Sequence, residues 1–113
     1  MKYYLFLHID DLSKNIFLQS YLKDGFEIVF ESQEGVLIRK SNMPIVDENR
    51  YIQVLNSYIK RSGFVQGCKG KIIDLTDAFL YAYHKNGFDK FDNKFEWYIR
   101  NIIIRTIHQE LEN

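Results

Sequence analysis

From Tyr3 to Ile9 the chain reads Tyr-Tyr-Leu-Phe-Leu-His-Ile, with apolar side chains at nearly every position. Successive side chains of a strand point to opposite faces, so a strand without a polar face needs cover on both sides. The stretch therefore predicts a strand in the middle of a sheet, with other elements packed above and below it. Asp10 and Asp11 end the apolar run before it resembles a signal peptide. Elsewhere Arg100 and Arg105 interrupt the richest apolar stretch well short of the roughly 20 residues of a membrane span. Cys68 is the one cysteine, which excludes an internal disulfide framework and suits a reducing compartment. The expectation is a cytoplasmic protein with no membrane partner.

Punctuation along the rest of the chain divides it into further elements. Asp10, Asp11 and Ser13 offer capping oxygens to a helix over Leu12 to Asp24, with Leu12, Ile16, Phe17 and Tyr21 as its apolar positions and Gly25 as its terminator. Phe26, Ile28 and Phe30 alternate with Glu27, Val29 and Glu31, which predicts a strand with one oily and one partly charged face. A turn over Ser32 to Gly35 returns it as a third strand, Val36 to Lys40. Asp47 is placed to cap a second helix whose apolar residues Tyr51, Ile52, Leu55, Tyr58 and Ile59 fall on one stripe, with Gly63 at its end. Phe64 to Gly70 is expected as a loop and Lys71 to Leu75 as a short fourth strand. Thr76 is placed to cap a helix to about Asn86, and Asp92 caps a long final one whose core stripe is Phe95, Ile99, Ile102, Ile103, Ile107 and Leu111.

The order strand, helix, hairpin, helices predicts a single α+β domain over residues 1–113. Its small, largely antiparallel sheet of three to four strands packs against helices and is followed by a C-terminal helical hairpin.

Fifteen basic and fifteen acidic side chains cancel, so no long-range field draws the chain to nucleic acid or membrane, and any charged partner must meet a local patch. Gly63-Phe64-Val65-Gln66-Gly67-Cys68-Lys69-Gly70-Lys71 is the one glycine-rich candidate for holding a phosphate, but Ile72 stands where a nucleotide loop needs Ser or Thr. Lys60, Arg61, Phe64, Lys69 and Lys71 supply the minimal equipment for gripping a nucleic-acid backbone and stacking a base. A solvated helix end followed by a glycine turn accounts for the same residues. Cys68 between glycine and lysine has the surroundings of an activated thiol, but no motif ties His8, His84 or His108 to it as a base. The Asp10–Asp11 pair ends a central strand, where α/β proteins often keep functional groups, yet no companion nucleophile is identifiable. Asp74, Asp77 and His84 match no metal-ligand template, and Asp89 to Asp92 lacks the oxygen spacing of a calcium loop. No metal or cofactor is implied.

Two surfaces remain. Between Phe79 and Tyr98 aromatic residues crowd so densely that a core of this size has difficulty enclosing them all, and Tyr81 and Trp97 lie off the apolar stripes of their helices. Glu27, Glu31 and Glu34 form an acidic strand and turn, suited either to protecting a sheet edge or to meeting a basic partner. These features predict a non-catalytic protein-binding module using Glu27, Glu31, Glu34, Tyr81 and Trp97. Residues with AT-rich codons, notably Ile, Lys, Asn, Phe and Tyr, far outnumber Gly, Ala, Arg and Pro, which suggests a low-GC bacterium, a phage or a mobile element as the origin of the gene. On that association the partner is expected to be a toxin or nuclease and the chain an immunity or counter-defence inhibitor. The alternatives are an RNA-binding regulator using the basic glycine segment and a small enzyme using Cys68 or Asp10 and Asp11. A homodimer through the isoleucine-rich last helix is compatible with each.

Overall fold

A computed structural model of the chain describes residues 1–8 and 11–112, with their side chains except those of 11–15, 64 and 110–112. β1 (Lys2–Leu7) leads to α1 (Asp11–Lys23) and to a hairpin of β2 (Glu27–Glu31) and β3 (Gly35–Lys40). There follow α2 (Glu48–Arg61), a 3-10 helix (Gly63–Cys68), β4 (Ile72–Asp74), α3 (Thr76–Lys85) and α4 (Lys94–Glu112). The strands form one antiparallel sheet in the order β2-β3-β1-β4, so the fold is α+β with a C-terminal helical hairpin.

β1 is an inner strand, and both its faces are covered. Tyr3, Leu5 and Leu7 enter the main core with residues of α2, α3, α4 and the 3-10 helix. Phe6 and half-buried Tyr4 join a smaller cluster with Leu18 and Tyr21 of α1, Phe26, Val36 and Ile38. Aromatic contacts carry the main core outward from the sheet. The Tyr3 ring stacks on Phe79 at 3.9 Å, Phe79 meets Phe95 at 5.2 Å, and Phe95 meets Tyr51 at 4.9 Å. Part of the predicted aromatic crowding is therefore core.

Local chemistry explains where the elements stop. After α1, Gly25 adopts a positive φ of 94°, and the Phe26 and Gly25 amides donate to the Tyr21 and Leu22 carbonyls. That pairing is the Schellman motif, which satisfies the carbonyls left open at a helix end. On α2 the buried residues are Tyr51, Ile52, Leu55, Tyr58 and Ile59, the stripe expected from their spacing.

Several expectations are corrected. On α1 the inward side is carried by Leu18 and Tyr21, whereas Ile16 and Phe17 are exposed. The alternation of β2 is broken by a bulge at Val29. Glu27 pairs with Arg39 and Ile28 with Ile38, but Phe30 then pairs with Leu37 and Glu31 with Val36. An extra residue in one strand reverses the facing of everything beyond it. The expected loop over 64–70 is mostly the 3-10 helix, held down by buried Val65 and Cys68. Asp47 stands at the N-cap position of α2, but its side chain makes no capping hydrogen bond; its Oδ2 accepts the Phe88 amide at 3.0 Å instead. Thr76 is the first residue of α3, and its hydroxyl oxygen accepts the Tyr3 amide at 3.1 Å.

Gly35 sits opposite Leu7 where β3 passes β1, and a Cβ there would lie 2.6 Å from the Phe6 carbonyl oxygen. Because that obstacle is backbone in the middle of the sheet, Gly35→Ala is expected to destabilise the protein by about 1–3 kcal/mol, the range for overpacking. Urea unfolding checks this, and a change within about 0.5 kcal/mol would mean that the strands separate easily there.

Candidate functional site

The polar residues of α2 that flank its buried stripe recur at helical spacing: Arg50, Gln53, Ser57 and Arg61, with Val54 among them. They form one wall of a cleft of about 730 Å³. Tyr81 and Lys85 of α3, the 88–93 connection and the first turn of α4 form the remainder, with Tyr51, Phe88 and Phe95 also lining it. The connection is fastened to α2 at two points, since Tyr51 donates its hydroxyl proton to the Gly87 carbonyl at 2.8 Å and Asp47 accepts the Phe88 amide. Helix α3 can hand the chain over so abruptly because Asn86 takes a left-handed conformation, φ 60°, and Gly87 a φ of 143°.

Asp92 organises the α3 side. Its Oδ1 accepts the Lys94 amide at 2.8 Å, capping α4, while Oδ2 accepts hydrogen bonds from Tyr81 and Lys85. The Lys85 ammonium, the Tyr81 hydroxyl and the Lys94 amide hold the Asp92 carboxyl far below the usual carboxylate range. Burial and the Asp92 hydrogen bond push Tyr81 upward, and Asp92 raises Lys85. At the other end Arg61, in the last turn of α2, pairs with Glu96 in the first turn of α4. Beyond that bridge lies a second cleft of about 680 Å³ lined by Tyr58, Arg61, Ser62, Asn93, Glu96, Trp97 and Arg100. The two clefts share Arg61, Asn93 and Glu96 and so make one groove crossed by an ion pair.

Cations and aromatic rings alternate around this groove. The Arg50 guanidinium lies 5.9 Å from the Phe88 ring centroid, and the Lys90 ammonium 5.1 Å from that of Phe91. Phe91 is 81% exposed and Trp97 58% exposed, the Trp97 ring meeting Tyr98 edge-on at 5.1 Å.

The residues expected from sequence are partly gathered here and partly dispersed. Tyr81 and Trp97, expected at a protein interface, line successive parts of the groove, and Arg61, expected to grip nucleic acid, lies between them. The bulge sets Glu27 and Glu31 on opposite faces of the sheet, and Arg39 pairs with Glu27 at 3.3 Å. Glu34 lies in the β2–β3 turn, outside the groove.

Lys60 and Lys69 are exposed, Lys71 is half-buried, and none of these lysines lines either cleft. The Phe64 side chain is outside the described residues, as are Asp10 and the side chain of Asp11. A phosphate cradle needs converging unengaged amides. Here the Val65, Lys69, Gly70 and Lys71 amides donate to the carbonyls of Ser62, Gln66, Leu7 and Cys68. Gly67 serves packing instead, since a Cβ there would meet the Ile107 side chain at 3.1 Å. Cys68 is fully buried, with its Sγ 3.9 Å from the Ile103 carbonyl oxygen. Ile99, Ile102 and Ile103 of the proposed dimer helix are buried within the chain's own core.

Among the described residues no three His, Cys, Asp or Glu side chains converge to hold a metal ion. Nor is any described helix long and apolar enough to cross a membrane. In comparisons with known proteins, no family model, curated protein or solved structure matches this chain.

Sequence inspection misses Arg50, Gln53, Ser57 and Lys85 as lining residues. The signal available was the three-to-four spacing of the α2 polar residues beside its apolar stripe, but nothing local says which element faces them.

Because the Asp92 carboxyl titrates lower in the folded protein than in the unfolded chain, its ionised form stabilises the fold above about pH 4, the ordinary Asp value. That contribution is lost as pH falls through the depressed folded value. Asp92→Asn retains a capping oxygen for Lys94 but removes the charge, so the wild type should be more stable at pH 7 and the gap should narrow progressively under acid. Urea midpoints across pH measure this, and a gap independent of pH would contradict the assignment.

Proposed function

We propose that this chain is a non-catalytic protein-binding module whose docking surface is the groove between α2 and α4, with Phe91 and Trp97 as its anchors. The observation that carries the reading is the exposure of these two large aromatic side chains beside one groove. Bringing them under a partner removes apolar surface from water, at about 25 cal/mol per Å². Trp, Tyr and Arg dominate the energetics of protein interfaces, and Trp97, Tyr81, Arg50 and Arg61 all border this surface. The groove is built on helices joined by hydrogen bonds and ion pairs, so a partner would meet a largely formed shape.

An inhibitor of a toxin or nuclease, of the immunity or counter-defence kind, is the narrower form of this proposal. It draws on the composition of the chain. Acidic mimicry by β2 adds little to it, because Glu27 and Glu31 face opposite ways and Glu27 is paired with Arg39. The RNA-binding reading has weaker support, since the amides of the glycine segment are engaged internally. Chemistry at Cys68 would require exposing a thiol that is now buried.

Affinity capture from native cells, with and without nuclease, tests the proposal. The wild-type chain should retain one protein in stoichiometric amount under both conditions, and Phe91→Ala/Trp97→Ala should weaken that retention by at least about 2 kcal/mol, the threshold of an interface hot spot. Retention of nucleic acid alone, or a protein held equally by the double variant, would overturn it.

A further inference from the structure

The charge balance of the groove indicates what kind of partner segment it accepts. Its two clefts are lined by the cations Arg50, Arg61, Lys85, Lys90 and Arg100 and by the carboxylates Asp89, Asp92 and Glu96. Glu96 is engaged by Arg61 and Asp92 by Lys85, so those pairs neutralise each other within the protein. What remains at one end is Arg50 and Lys90 against Asp89. Arg50 and Lys90 are exposed, and among the described residues they face rings rather than carboxylates. A cation backed by an aromatic ring presents its outer donors to an incoming anion while the ring supplies apolar contact beside it.

We propose that the groove accepts a short acidic segment of a partner protein, with Asp or Glu side chains flanking an apolar residue. This rests on the protein-binding reading above and adds the chemistry of the partner. The apolar residue would lie over the half-buried Phe88, and the flanking carboxylates would meet Arg50 and Lys90. Gln53 and Ser57 on the α2 wall offer hydrogen bonds to an extended backbone. The clefts, at about 730 and 680 Å³, each have room for a few side chains. Nucleic acid is the poorer occupant, because a continuous phosphate backbone would run past Asp89 beside Arg50 and Lys90, whereas a peptide can space its charges to avoid it.

Selection of a displayed library of random short peptides on the wild-type protein tests this, with a labelled oligouridine as competitor. The enriched peptides should be acidic around an apolar residue. They should bind Arg50→Glu/Lys90→Glu about tenfold or more weakly and weaken as salt rises, and oligouridine should not displace them. Both residues are exposed, so an unchanged urea midpoint is expected to show that the variant is folded. Neutral or basic enriched peptides, no enrichment, insensitivity to the charge reversal, or oligouridine binding abolished by that reversal would each overturn the inference. Non-acidic peptides that nevertheless lose binding in Trp97→Ala would overturn the acidic partner alone and leave the docking surface standing.

Discussion

Strand β1 has no face it can show to water, and the rest of the architecture answers that constraint. Its Tyr3, Leu5 and Leu7 side needs a deep layer, supplied by α2, α3, α4 and the 3-10 helix, whereas its Tyr4 and Phe6 side is served mainly by α1 and the hairpin. Helices α2 and α4 lie together because both bury apolar stripes over the first of these sides. Their outer flanks then meet as the walls of a groove. The proposed docking surface is thus a geometric consequence of covering a central strand with several helices.

One polar junction fixes the depth at which α2 docks. Glu48, in its first turn, accepts hydrogen bonds from Tyr3 of β1 and Arg39 of β3, and Arg39 continues to Glu27 of β2. A carboxylate in a helix's first turn also complements the helix dipole. Tyr3 is fully buried, and burial together with the Glu48 carboxylate raises its hydroxyl pKa strongly, so it remains a donor throughout the physiological range. Such an interaction specifies a position more than it adds stability, because removing charges from water offsets much of their attraction. Its consequence for function is indirect: the α2 residues that line the groove are held at a fixed height above the sheet.

The fold was largely legible because its signals are local and periodic. The α2 stripe and the glycine after α1 follow from spacing and turn chemistry alone. The failures have equally specific causes. A bulge is one residue with no mark of its own, and at Val29 it divides the acidic face that strict alternation predicts. In the glycine segment, close packing against Ile107 looks the same in sequence as flexibility for a phosphate. Trp97 stands out in the sequence because it departs from the α4 stripe, but proximity groups Arg61 with lysines, whereas its carboxylate partner stands on a helix far along the chain. The groove depends on pairings of that kind, which periodicity does not encode.

The central claim, that the α2–α4 groove is where this protein meets a protein partner, is tested most directly by site-specific photo-crosslinking in native cells. A photoreactive amino acid substituted for Trp97 or for Ser57, on the two parts of the groove, should give the same discrete protein adduct. The same substitution at Lys60, exposed on α2 but outside the groove, should give none. Adducts to nucleic acid, or a protein adduct formed equally well from position 60, would contradict the claim.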